Sequence, residues 1–202
     1  MKVNFHPSPF GDAQDIVAFW AVAGPKRWFR KDSAFDDALR TRFLSAHEAA
    51  ARGDCGDCAD WARHATGSLA LLILLDQFPR NAFRQTPRMY ATDAQARAVA
   101  DAAIAAGHDR AVAPALRQFF YLPFMHSEAL ADQERSLALY AALAAGQAAG
   151  ANEATARDAT RHAREHHAIV ARFGRFPHRN AVLGRPSTAQ ELAFLNEGGF
   201  AD

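Results

Sequence analysis

The sequence predicts an all-α fold of about eight helices, and three observations carry that prediction. Alanine occurs 47 times in 202 residues, against 7 valines and 4 isoleucines. Alanine is the best helix former, whereas β-branched residues suit strands. Apolar residues recur at helical spacing along most of the chain, and no segment alternates with the period of two that a half-buried strand requires. Capping residues, glycines and prolines fall where the periodic segments begin and end. The alanines, and the 20 arginines against 3 lysines, also suit a GC-rich genome, so periodicity weighs more than composition. No linker is visible, and residues 1–202 read as a single domain large enough to hide roughly 70% of its unfolded surface.

The elements follow in order. Ile16, Phe19 and Trp20 give a helix over 12–22 that Gly24-Pro25 stops. Ser33 is positioned to cap a long helix to Arg52, with Phe35, Leu39, Phe43 and Leu44 on one stripe and Gly53 as terminator. Residues 60–78 form the most apolar helix; Leu69–Leu75 is apolar on every side and should be central, with Pro79 ending it. Thr92 and Gln95 have capping-box spacing for a helix to Ala106, closed by Gly107. A short helix is expected over 114–122, another from Ser127 to Ala145, and a long one over 153–173 before Gly174. A second capping box, Thr188 with Glu191, opens a last helix to Asn196. No 34-residue repeat signature is visible.

Charge and targeting exclude several function classes. The net charge of +1 gives no global attraction to nucleic acid, and the seven arginines between Arg157 and Arg185 lack interleaved aromatics. The longest apolar run is the seven residues Leu69–Leu75, far short of the ~20 a membrane helix needs. The N-terminus has no apolar signal core, so a cytoplasmic location is expected. Cys55 and Cys58 form a C-x-x-C that His47 and His64 flank. It lacks the preceding strand of a redox motif and the paired histidines of a structural zinc site. It reads as an interhelical loop, and neither metal nor cofactor is expected.

Polar residues in unusual places supply the candidate site. Asp76 shares a stripe with Leu69, Leu72 and Ile73 and so faces inward near a helix end. A carboxylate there requires a cation or several donors, with Arg80 nearby and Arg175 or Arg179 as distant alternatives. His126, Leu130, Gln133, Leu137 and Tyr140 lie on one expected inward face, while Glu128 and Asp132 lie beside it with Arg135. His162 and His166 share a stripe with Ile169 and Phe173, so both are expected inward. His162 to His166 also matches the H-x-x-E-H metal-protease string, but only 36 residues remain to supply a third ligand. His108-Asp109 sits at a helix junction and reads as a stop and cap.

Three strings then combine: Leu74-Leu75-Asp76-Gln77-Phe78-Pro79-Arg80-Asn81, His126-Ser127-Glu128, and Arg172-Phe173-Gly174-Arg175-Phe176-Pro177-His178-Arg179-Asn180. Phe19-Trp20, Trp28-Phe29, Asp132-Gln133 and Leu183-Gly184-Arg185 accompany them. In this order they resemble the uncharacterised family "domain of unknown function 924" across nearly the whole chain. The resemblance implies a tetratricopeptide-like helical array and no established activity. The Cys55/Cys58 loop lies outside its pattern.

The leading expectation is a pocket for a small anionic ligand, since arginine forks grip carboxylate or phosphate. Asp76, Arg80, Asn81, Gln133, Arg175, His178, Arg179 and Asn180 would line it. His126, Glu128 and His166 would supply acid–base chemistry of hydrolase or transferase type. The alternative is a non-enzymatic helical scaffold that binds a peptide or protein partner. The residues do not specify an oligomeric state.

Overall fold

The computed structural model describes residues 12–53, 58–146 and 153–199, and among these there is no strand. The Cys55/Cys58 pair lies outside the described residues except for the backbone of Cys58. The helices sort into two compact units. One takes in residues up to Arg84 together with Arg88–Phe120; the other takes in Gln85–Pro87 and the residues from Tyr121 onward. No helix among the described residues is long and apolar enough to cross a membrane.

The first unit begins with α1 (Ala13–Ala23), capped by the Asp12 side chain, and a single turn, α2 (Pro25–Trp28). Gly24 ends α1 as expected, and Pro25 then opens α2, where its missing N–H costs nothing. Trp28 turns inward and donates its indole N–H to the Trp20 carbonyl at 2.7 Å. Next comes α3 (Ser33–Arg52), whose cap is Asp32 rather than the expected Ser33: the Asp32 carboxylate accepts the Phe35 N–H at 3.1 Å. Phe35, Leu39 and Phe43 are buried on one stripe as the periodicity requires, and Gly53 closes the helix in the left-handed region at φ 67°.

After the short α4 (Cys58–Trp61), α5 (Ala65–Leu72) begins the central apolar stretch. Leu69–Leu75 is buried throughout, none of its residues more than 4% exposed. Full burial of each leucine contributes roughly 1.5–3 kcal/mol. Gly67 is required here because a Cβ would overlap the Trp61 backbone. The helix does not stop at Pro79. It widens into a π turn, Ile73–Gln77, and continues as α6 (Phe78–Ala82).

The π turn explains how a proline is tolerated. Phe78 N–H reaches back five residues to the Ile73 carbonyl, so the Leu74 carbonyl loses its α-helical donor. Its π-register donor would be residue 79, and proline has no N–H to give. His47 Nδ1 donates to the Leu74 carbonyl instead, at 2.9 Å. The Leu75 carbonyl, whose α-helical donor would also be residue 79, accepts from Thr92 Oγ1 at 2.5 Å. Thr92 therefore does not form the expected capping box at the start of α7 (Asp93–Ala105), and Gln95 donates to the Ala51 carbonyl at 2.7 Å. The helix expected over 114–122 is a 3₁₀ segment, Pro114–Phe120. In this unit α1 and α7 pack on α5, and α3 packs on α6.

The second unit starts with α8 (Leu122–Met125), followed by α9 (Leu130–Gly146) and α10 (Glu153–Phe173), which pack on each other. Helix α9 begins three residues later than expected. Ser127 accepts the Ala129 N–H at 3.2 Å and donates to Asp132 at 2.6 Å, which holds the approach in a turn. Its buried face is Gln133, Ser136, Tyr140 and Leu143; Leu130, expected inward, is exposed. Helix α11 (Ala189–Asn196) carries the complete Thr188–Glu191 capping box that the sequence predicts.

Candidate functional site

The strongest polar cluster in the second unit is built around one buried aromatic ring. Gly174 takes the left-handed conformation at φ 70° and turns the chain out of α10, so Phe176 can fold back under it, fully buried. Pro177 then opens a 3₁₀ turn, Pro177–Arg179. Four of the expected site residues gather at the Phe176 ring or beside it. The His166 ring lies edge-on at 5.5 Å and the His178 ring is tilted at 5.5 Å. The Arg179 guanidinium carbon sits 4.4 Å above the ring centroid, a cation–π arrangement. The His126 ring is 6.3 Å from the His166 ring.

His166 has a defined tautomer. Its Nδ1 lies 2.8 Å from the His162 carbonyl, and a carbonyl only accepts, so Nδ1 carries the proton. In its neutral form the ring therefore has its acceptor nitrogen at Nε2. Of the expected stripe, His166 and Ile169 are buried and Phe173 is half-buried, whereas His162 is exposed and Ala163 takes its place inward. Glu165 pairs with Arg161 at 2.8 Å. Among the described residues, no group of three or more His, Cys, Asp or Glu side chains is arranged to hold a metal ion.

The remaining expected residues of this unit frame the cluster. Gln133, with no exposed surface, donates through Nε2 to the carbonyls of Met125 and Ser127 at 2.6 Å each and reaches Phe124 at 3.4 Å. These carbonyls belong to the turn that carries His126. Arg179 Nη1 donates to the His126 carbonyl at 3.0 Å. Glu128 is held by both arms of Arg185, at 2.6 and 2.8 Å, and accepts the Phe176 N–H at 2.8 Å. Burial pushes the Glu128 carboxyl up. The Arg185 fork, the Phe176 N–H and the charges of Arg185 and Arg179 outweigh that and hold it below its ordinary range. Glu128 is thus a fixed anion.

Arg175 makes a two-pronged pair with Glu191 at 2.6 and 2.8 Å. That fork, against the opposing effect of burial, and aided by the Thr188 N–H and Asn180, lowers the Glu191 pKa to about 2. Asn180 donates to Ser187 at 3.1 Å and accepts from Arg185 at 3.0 Å.

The first unit carries Asp76, Arg80 and Asn81, all buried, at the π turn. Arg80, the local partner anticipated for Asp76, lies 3.2 Å from its carboxylate and also donates to the Asp76 carbonyl at 3.0 Å. The same guanidinium grips Asp93 with two bonds, at 2.8 and 3.0 Å. Asp93 opens α7, where the helix dipole favours a negative charge. Gln77 donates to Asp76 at 2.6 Å. Asn81 donates to the Gln77 carbonyl at 3.0 Å and accepts from Arg84 at 2.7 Å, and Arg84 is in turn forked onto Asp36.

The organising roles of Phe176, Arg185, Asp93, Thr92 and His47 are not legible in the sequence. Arg185 stands 57 residues from Glu128 and Thr92 stands 17 from Leu75, so no local spacing announces either partnership. The doubled Phe-Pro strings were the available signal for Phe176, which precedes Pro177 as Phe78 precedes Pro79.

A solved structure of a protein of unknown function from Agrobacterium tumefaciens is similar to this chain. It is 51% identical, covers 92% of this chain and 97% of its own, and superposes with a TM-score of 0.82. No curated protein matches the chain. The family model described as "Bacterial protein of unknown function (DUF924)" matches residues 16–199. With that match over nine-tenths of its length, the chain belongs to the DUF924 family.

Proposed function

We propose that the cluster around Phe176 binds a small anion and performs acid–base chemistry on it, in the manner of a hydrolase or transferase. His126 and His166 are the proton-handling pair, and Arg179 with His178 attracts the negative charge. Glu128, Gln133, Arg175 and Asn180 hold the frame. The observation that carries this reading is the 6.3 Å approach of two buried imidazoles beside a buried guanidinium. Histidine is the side chain whose ordinary pKa lies nearest neutrality, and a pair of them offers one donor and one acceptor to the same guest. Arginine stays charged under all ordinary conditions. His178, partly exposed, forms the rim.

A non-enzymatic scaffold is the second reading, and one observation favours it: Arg175 and Arg185 are each closed onto a carboxylate of the same unit, as packing alone would require. Calorimetric titration with inorganic phosphate separates the two. Saturable binding to the wild type, with Kd about millimolar or tighter, and its loss in a folded His126→Gln/His166→Gln double variant support the anion site. Binding that is absent, or that persists in that variant, leaves the scaffold.

A further inference from the structure

A feature independent of the Phe176 cluster lies in the first unit, between α1 and α3. A groove of about 450 Å³ runs between Asp15, Ala18, Phe19 and Val22 of α1 and Ala34, Phe35, Ala38 and Arg42 of α3. That volume is in the range of sites that hold one small organic molecule. Spacing explains its shape. Residues 15, 18, 19 and 22 repeat on one helical face, as do 34, 38 and 42, and the alanines leave the two faces apart.

The floor is aromatic: Phe19 and Phe35 stack with centroids 5.5 Å apart. Val22, at the edge, is 88% exposed, so an apolar side chain stands open to whatever enters. The exposed Arg42 guanidinium lies 5.5 Å from the Phe19 centroid and 5.3 Å from that of Phe43, within cation–π range of both rings. Among the described residues those ring contacts are its partners and no acid pairs with it. By contrast Asp32 is engaged, capping α3 and lying 3.9 Å from Arg27.

We infer that this groove binds an amphipathic organic acid, its apolar body on Phe19, Phe35 and Val22 and its carboxylate on the Arg42 fork. The planar guanidinium presents a fork that matches a carboxylate with two parallel N–H···O bonds. Arg27 and Asp32 also line the groove and face each other at 3.9 Å, which leaves Asp15 as the acid whose charge opposes the incoming carboxylate.

The test is calorimetry on the full chain with 4-phenylbutyrate, and with 4-phenylbutylamine as the charge-reversed probe. The acid is expected to bind saturably and at least tenfold more tightly than the amine. Ala38 and Arg42 are exposed, so Ala38→Trp and Arg42→Gln should keep the wild-type melting temperature. Ala38→Trp should abolish acid binding, Arg42→Gln should weaken it about tenfold, and Asp15→Asn should tighten it severalfold. Equal affinity for acid and amine, or acid binding unaffected by Ala38→Trp, overturns the inference. The imidazole signals of His126 and His166 should not move with phenylbutyrate. Movement of those signals with binding indifferent to Ala38→Trp assigns the acid to the Phe176 cluster and also overturns it.

Discussion

Arg179 donates from Nη1 to the main-chain carbonyl of His126 at 3.0 Å, across 53 residues of sequence. The bond joins the turn after α10 to the turn before α9, and it fixes the backbone from which one of the two facing imidazoles projects. Arg179 is 3% exposed, so the bond is made by a charged group out of water. Arg179→Met removes that bond and the stacking on Phe176, with an expected loss of roughly 1.5–3 kcal/mol in urea unfolding. A change within ±0.5 kcal/mol contradicts this.

The Thr92–Leu75 bond offers a double-mutant cycle. Thr92→Val leaves the Leu75 carbonyl without its hydroxyl donor and should cost about 1–3 kcal/mol. Pro79→Ala restores a backbone N–H at position 79. The cost of Thr92→Val measured in the Pro79→Ala background should therefore be smaller by 0.5 kcal/mol or more, a range typical of coupled neighbours. Equal costs in both backgrounds would show that the hydroxyl does not compensate for the proline.

Gln133 holds the His126 turn from beneath. Gln133→Leu keeps the volume but strands the carbonyls of Met125 and Ser127, at about 1–3 kcal/mol each. Gln133→Glu replaces the donor by an acceptor facing the same carbonyls and should be worse still. Thermal melts of the two variants check the order, and a Glu variant more stable than the Leu variant at neutral pH contradicts it.

His47 makes the π turn sensitive to pH. Burial depresses its pKa most; the bond to Leu74 works against that, Arg88 adds to it, and Glu48 opposes it. The folded pKa lies below the unfolded value of 6.5, so the unfolded state binds more protons between the two. The contribution is therefore whole above pH 6.5 and is lost as pH falls toward the depressed value. Urea stability followed from pH 7.5 to 5 should fall in the wild type and flatten in His47→Gln. Parallel curves would contradict the assignment.

Glu191 works in a more acid window. Its folded pKa of about 2 lies below the ordinary 4.5, so the stability it supplies is present above 4.5 and lost as pH falls toward 2. Glu191→Gln should be less stable than wild type at pH 6 and should lose less on acidification through that window. A variant that loses as much as wild type on acidification contradicts it.

These residues also show what the sequence makes legible. The all-round burial of Leu69–Leu75 and the Thr188–Glu191 capping box were readable because each is a local pattern, set by neighbours within a turn or two. The inward placement of Gln133 and His166 followed from helical spacing, whereas His126 is buried on the turn before α9 and Asp76 lies in a segment buried on every side. His162 failed because the buried face of α10 starts at Ala163 and runs on through His166, Ile169 and Val170, and an alanine gives little pattern signal. Pro79 predicts a stop because a proline removes a donor from a helix of regular register. The chain instead widens the turn and recruits His47 and Thr92, which lie 27 and 17 residues from the carbonyls they satisfy. Glu128, expected among the acid–base residues, is held by Arg185, a partner 57 residues away that no local spacing announces.

The most direct test of the Phe176 cluster is an NMR titration of the imidazole signals of His126 and His166 with inorganic phosphate at constant pH and ionic strength. Bound anion between the two rings should move both sets of signals along one saturation curve with a common Kd, and should raise both imidazole pKa values by favouring their charged forms. Signals that stay fixed, or that drift linearly and independently with phosphate, would contradict an anion site there.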